Sequence, residues 1–148
     1  MAVYLADEQE LEVAHEDLVE LAHFVLAERR VPAEMELALL LVDEATIAGL
    51  NAEHLSNEGP TDVLAFPIDE PGESAPGGPS VLGDVVLCPA YVARQAAEHG
   101  VTLGAELRML TVHGILHLLG MDHAEPEEER VMTALTGGLL EAFERRHR

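Results

Sequence analysis

Three histidines carry the clearest chemistry in this sequence. His113 and His117 stand four residues apart in the segment Thr111-Val112-His113-Gly114-Ile115-Leu116-His117-Leu118-Leu119-Gly120-Met121-Asp122-His123. On a helix that spacing puts both imidazoles on one stripe, about 6 Å of axial rise apart, so two ring nitrogens can reach one ion at about 2.0–2.1 Å each. Gly120 permits a left-handed backbone, which lets the chain turn sharply and bring His123 back as a third ligand. Three histidines with an open fourth position are the pattern of a catalytic zinc site, not a structural one. Asp122, beside the third ligand, can orient a ligand imidazole by accepting its other N–H. The competing reading is a set of hydrogen-bonded core histidines. Met109 to Leu119 is apolar on nearly every face, so it reads as the central buried helix, where three unpaired imidazoles would be costly. The spacing therefore favours a metal centre on His113, His117 and His123.

The pattern His-x-x-x-His-x-x-Gly-x-x-His is also the metal-binding frame of the metzincin proteases, apart from one position. Those enzymes place a Glu directly after the first His as general base, and this chain has Gly114 there. Activation of a water must then come from the metal or from another residue. The metal frame survives and the peptidase base does not.

Strands and helices must hold this segment in place. Val3 to Leu5 reads as a short edge strand. From about His15 to Arg30, Leu18, Leu21, Ala22, Val25 and Leu26 recur at helical spacing. Glu34 to Asp43 alternates and then becomes continuously apolar, as a buried strand does. Glu44 to about Asn51 is a short helix, Val63 to Phe66 a strand closed by Pro67, and Asp69 to Ser80 a loop rich in Pro and Gly. Val81 to Cys88 is a strand, and Pro89 opens a helix that Gly100 ends. Thr102 caps the histidine helix, with Glu106 early where the helix dipole favours an acid, and a last helix follows Pro126. The strand-to-strand links look too short for repeated crossover helices. The expected fold is α+β: a small mixed sheet of about four strands, with helices packed around it and the His-bearing helix at the centre.

At 148 residues and 16.0 kDa the chain is the size of a single domain. Its one cysteine, Cys88, rules out an internal disulfide and suits a reducing, cytoplasmic compartment. The longest clean apolar run, Leu37 to Val42, is far short of the about 18 residues a membrane span needs, and Met1 to Glu10 lacks the pattern of a signal peptide. Twenty-eight acidic residues against eight arginines and no lysine give a net charge of -20. Such a field repels polyanions at long range and argues against non-specific nucleic-acid binding. The acidic runs read as solvated helix faces.

Several ordered pieces resemble the YbeY family of zinc-dependent endoribonucleases. The histidine segment matches the family's His-Gly-x-Leu-His-Leu-x-Gly-x-Asp-His. Leu50-Asn51 followed by Pro60-Thr61-Asp62-Val63-Leu64-Ala65-Phe66-Pro67 resembles its second motif, and Leu82-Gly83-Asp84-Val85 its third. The pieces keep the family's order from roughly Glu36 to His123. The resemblance implies a zinc ion on His113, His117 and His123, a four-stranded mixed sheet and hydrolysis of single-stranded RNA. It further implies maturation of ribosomal RNA at the 3′ end of the 16S species, a part in ribosome quality control, and ribosomal proteins or the small ribosomal subunit as partners. Two positions depart from the family: Ala65 replaces the usual serine, and Leu55 stands where many members carry an arginine suited to phosphate.

Two other readings remain open. One is a metallopeptidase whose base is displaced to Asp122 or Asp62. The other is a ribosome-associated binding module with a structural zinc. Of the remaining residues, Asp62 and Asp84 read as strand-end hydrogen-bond formers that could also face the site, and Arg108 as an ion-pair former. Cys88 reads as a small core residue, and His15, His23, His54, His99 and His147 show no ligand spacing.

Overall fold

The alternation between Glu34 and Asp43 produces a strand, β2 (Met35–Val42), that divides the core in two. Met35, Leu37, Leu39 and Leu41 are buried on one face, while Leu40 and Val42 pack on the other. This computed structural model describes residues 2–69, 80–121 and 124–147. β1 (Ala2–Glu8) and β4 (Ser80–Leu87) flank β2 as parallel neighbours, and β3 (Val63–Pro67) pairs antiparallel with β4. The order β1-β2-β4-β3 makes a four-stranded mixed sheet with β1 and β3 at its edges.

Three helices cover the first face: α1 (His15–Glu28), α4 (Leu103–Leu118) and α5 (Pro126–Arg146). Their Leu18, Leu21, Val25, Leu107, Ile115, Met132 and Phe143 meet Leu37, Leu39 and Val85 of the sheet. Each such side chain contributes about 1.5–3 kcal/mol by leaving water. A smaller cluster on the other face joins Val42, Leu64, Val86 and Cys88 to Ile47 of α2 (Glu44–Leu55) and to Ala90 and Tyr91 of α3 (Pro89–His99). α4 packs against α1, α3, α5, β3 and β4, which makes it the central helix, as its apolar circumference predicts.

The α+β mixed sheet is as expected, with differences in detail. β1 runs the length of β2 instead of stopping at Leu5, because Asp7 and Glu8 still pair with Leu41 and Val42, with the Asp7 carboxylate against His15 Nε2 at 2.6 Å. α1 crosses between the parallel strands β1 and β2, and the run through α2 and β3 joins β2 to its parallel neighbour β4. α2 continues to Leu55, past the expected end near Asn51, and Asn51 is buried with its Nδ2 donating to the Gly59 carbonyl at 3.0 Å. The expected loop lies mostly in 70–79, outside the described residues. No described helix is long and apolar enough to cross a membrane.

The caps follow the sequence. The Thr102 hydroxyl accepts from the Ala105 N–H, Asp43 accepts from Thr46, and Glu125 and Glu128 form a reciprocal capping box. Glu106 does more than complement the helix dipole. Its carboxylate is 5% exposed and meets His99 Nδ1 at 2.6 Å, joining α3 to α4. Replacing His99 with Ala leaves that acceptor buried without its partner, which costs about 1–3 kcal/mol. Thermal unfolding of His99→Ala is expected several degrees below wild type, with exposed Glu98→Ala unchanged within error.

Candidate metal-binding cleft

α4 begins at the Thr102 cap and is buried around most of its circumference. His113 and His117 are both half-buried, one turn apart on one stripe. Their rings lie edge to face with centroids 5.1 Å apart. Both open on a cleft of about 610 Å³ whose other walls are Leu110, the end of α2 at Leu55, and Asp62 through Ala65 with Pro67 along β3. That volume is in the about 300–1,000 Å³ range of small-molecule sites. The first two predicted ligands are thus together in a cleft. His123 and Asp122 lie outside the described residues, and among the described residues no three His, Cys, Asp or Glu side chains converge on one point. The turn that leads toward His123 is as expected: Gly120 has φ +93°, a conformation that other residues adopt only with strain.

Gly114, between the two histidines, has a steric role. A Cβ there would stand 2.7 Å from Val85 Cγ1 and 3.2 Å from Cγ2, on the β-branched side chain of the central strand. The carboxylate that a metzincin carries at this position therefore has no space here. The sequence signal was visible as a missing base; its packing cause was not.

The remaining candidates separate cleanly. Asp62 lines the cleft and also ties down the start of β3: Oδ1 accepts from the Val63 N–H at 2.7 Å and Oδ2 from Gln95 Nε2 at 3.1 Å. Asp84 is not among the cleft residues. Arg108 is committed to Asp17 by two bonds of 2.7 and 2.6 Å, with Glu144 beyond. Hydrogen bonding to Asp17 stabilises its positive charge further, so Arg108 acts as an ion-pair former. Cys88 is a buried free thiol whose pKa is pushed up by that burial, as suits a core residue. Sequence reasoning missed Leu110 and Pro67 as cleft walls and the ring contact of His54 with Phe66, centroids 5.2 Å apart. Only Pro67, at a strand end, gave a local sign.

In a free helix Gly→Ala gains about 1 kcal/mol, while overpacking a core costs about 1–3 kcal/mol. With Val85 in the way, Gly114→Ala is expected to lower stability in denaturant titration, and Val85→Ala in the same chain to restore part of it.

Comparison with known proteins covers nearly the whole chain. Residues 4–144 match the family described as Endoribonuclease YbeY. A protein of that name from Mycolicibacterium vanbaalenii is 49% identical over 97% of this chain and 80% of its own length. Those of Mycobacterium leprae and Mycobacterium tuberculosis are 48% and 49% identical, over 97% of this chain and 83% and 84% of theirs. A Thermotoga maritima protein solved in solution shares the fold at a TM-score of 0.59, with 24% identity across 97% of this chain and 93% of that one. Its sheet, its histidine helix and its close relatives together place the chain in the YbeY family of endoribonucleases, to which it belongs.

Proposed function

We propose that the protein is a zinc-dependent endoribonuclease that cuts single-stranded RNA in the cytoplasm, late in ribosomal RNA maturation at the 3′ end of the 16S species and in ribosome quality control. The observation that carries this reading is the His113–His117 pair, rings 5.1 Å apart, open to a cleft that β3 and α4 share. Two imidazoles on consecutive turns suit zinc, and His123 is assigned as the third ligand, with one ion per chain. Zinc held there supplies a Lewis acid to a phosphate oxygen and makes a water more acidic.

The chain's own residues set the geometry around that chemistry. α4, packed against α1, α3, α5, β3 and β4, fixes where the two imidazoles stand. Leu55, Leu110 and Val63 give the cleft apolar walls beside the histidines. Asp62, held by Val63 and Gln95, is an anion of fixed orientation at the cleft wall, and it turns the RNA backbone away from that side. No arginine lines the cleft among the described residues, so phosphate attraction is weak there. Delivery by basic ribosomal proteins of the small subunit would suit a chain of net charge -20.

Zinc-loaded protein is expected to cut labelled single-stranded RNA, and His117→Ala to lose both bound zinc and at least about a hundredfold in rate, a loss of several kcal/mol. Cleavage at the wild-type rate by metal-free His117→Ala, with metal content measured by mass spectrometry, would sink the reading. Leu55→Arg supplies the cation the cleft lacks. It is expected to lower KM at low salt and to steepen the dependence of log KM on log salt by about 0.7, the increment for one phosphate contact on a single strand.

A further inference from the structure

β3 forms one edge of the sheet, so half of its backbone groups face away from the described strands. The phase of its ladder shows which half. The Cys88 N–H donates to the Asp62 carbonyl at 3.1 Å, and the Ile68 N–H to the Leu82 carbonyl at 3.0 Å. Residues of an antiparallel strand alternate in this respect, so Leu64 and Phe66 also face β4, while Val63, Ala65 and Pro67 face outward. Pro67 has no N–H to offer. The Val63 N–H is taken by Asp62 Oδ1 at 2.7 Å. Ala65 therefore carries the one open outward N–H of β3, flanked by the outward carbonyls of Val63, Ala65 and Pro67. All three residues line the cleft that holds His113 and His117.

Resting on the nuclease reading above, we infer that this edge reads a nucleobase: a base beside the scissile phosphate lays its Watson–Crick edge along β3. The base accepts a hydrogen bond from the Ala65 N–H and donates to the neighbouring carbonyls, and Leu55 and Leu110 offer apolar surface to the ring. The charge balance demands a contact of this kind. A cleft with no arginine among its described lining residues, in a chain of net charge -20, gains little from phosphates beyond the one at the metal, which leaves contacts to the bases as the remaining source of affinity. The edge offers three acceptors to one donor. It therefore favours guanine, whose Watson–Crick edge presents two donors and one acceptor, over uracil and cytosine, which each present a single donor and two acceptors.

The test uses one short single-stranded RNA, its mapped cut flanked in turn by A, C, G or U, with kcat and KM measured for each. Binding of the same four RNAs is measured in the His117→Ala background. The wild type is expected to show KM about fivefold higher with uracil than with the preferred base, the worth of one neutral hydrogen bond. Ala65→Pro removes only the outward N–H and leaves every bond to β4 in place, as proline at an outward edge position allows. It is expected to raise KM about fivefold and level the differences between bases, with kcat nearly unchanged. If Ala65→Pro does not fold, Pro67→Ala serves instead: it adds an outward N–H and is expected to shift preference toward uracil. Equal KM for all four bases in an active wild type overturns the inference. So does a folded Ala65→Pro indistinguishable from wild type, or a Pro67→Ala with unchanged preference. A wild type that cuts no single-stranded RNA overturns the nuclease reading itself.

Discussion

Where α4 crosses β4, the helix lies so close to the sheet that a single hydrogen atom fits at Gly114 and a Cβ would be 2.7 Å from Val85. This approach sets the height of the helix over the sheet and, with it, the position of both histidines that flank Gly114. Val63 of β3 lies at the same junction, 3.5 Å from where that Cβ would be. One contact thus brings the imidazoles on α4 and the wall of the cleft on β3 to a common distance. The same contact leaves no place for the carboxylate that a related peptidase frame would carry next to its first histidine. The chemistry available to the site is in this sense a result of packing.

The arginines show where the protein spends its few positive charges. Arg94 joins α3 to Glu44 at the start of α2, Arg108 joins α4 to Asp17 of α1, and Arg146 joins α5 to Glu28 of α1. Exposed pairs of this kind contribute little each, although the two-bonded Arg108–Asp17 contact is partly sheltered and stronger. They act as clips between helices. What remains toward water is overwhelmingly anionic, and the cleft inherits that imbalance.

Much of this arrangement was legible in the residues. The alternation of Met35, Leu37 and Leu39 and the four-residue spacing of His113 and His117 are local patterns, and they led to the right elements. Thr102 and Gly100 marked helix ends because capping is a local property too. The parts that could not be read depend on partners distant in sequence. Glu106 looked like an ordinary first-turn acid because its burial depends on His99 across a helix junction. Asp7 and Glu8 fell beyond the expected edge strand because only the β2 backbone keeps them in it. Gly114 showed an absent base, but Val85 had to be placed before the absence had a cause.

The edge of β3 has a consequence beyond substrate. A row of open amides on an exposed strand is a template on which another chain can grow, and proteins must guard against it. Here Pro67 removes one amide and Asp62 occupies another, on either side of Ala65. With those two amides withdrawn, an incoming strand meets one donor in place of three, and the ladder it could build is correspondingly weaker. The strand can therefore stay uncovered at the mouth of a working cleft without inviting its own kind to stack on it.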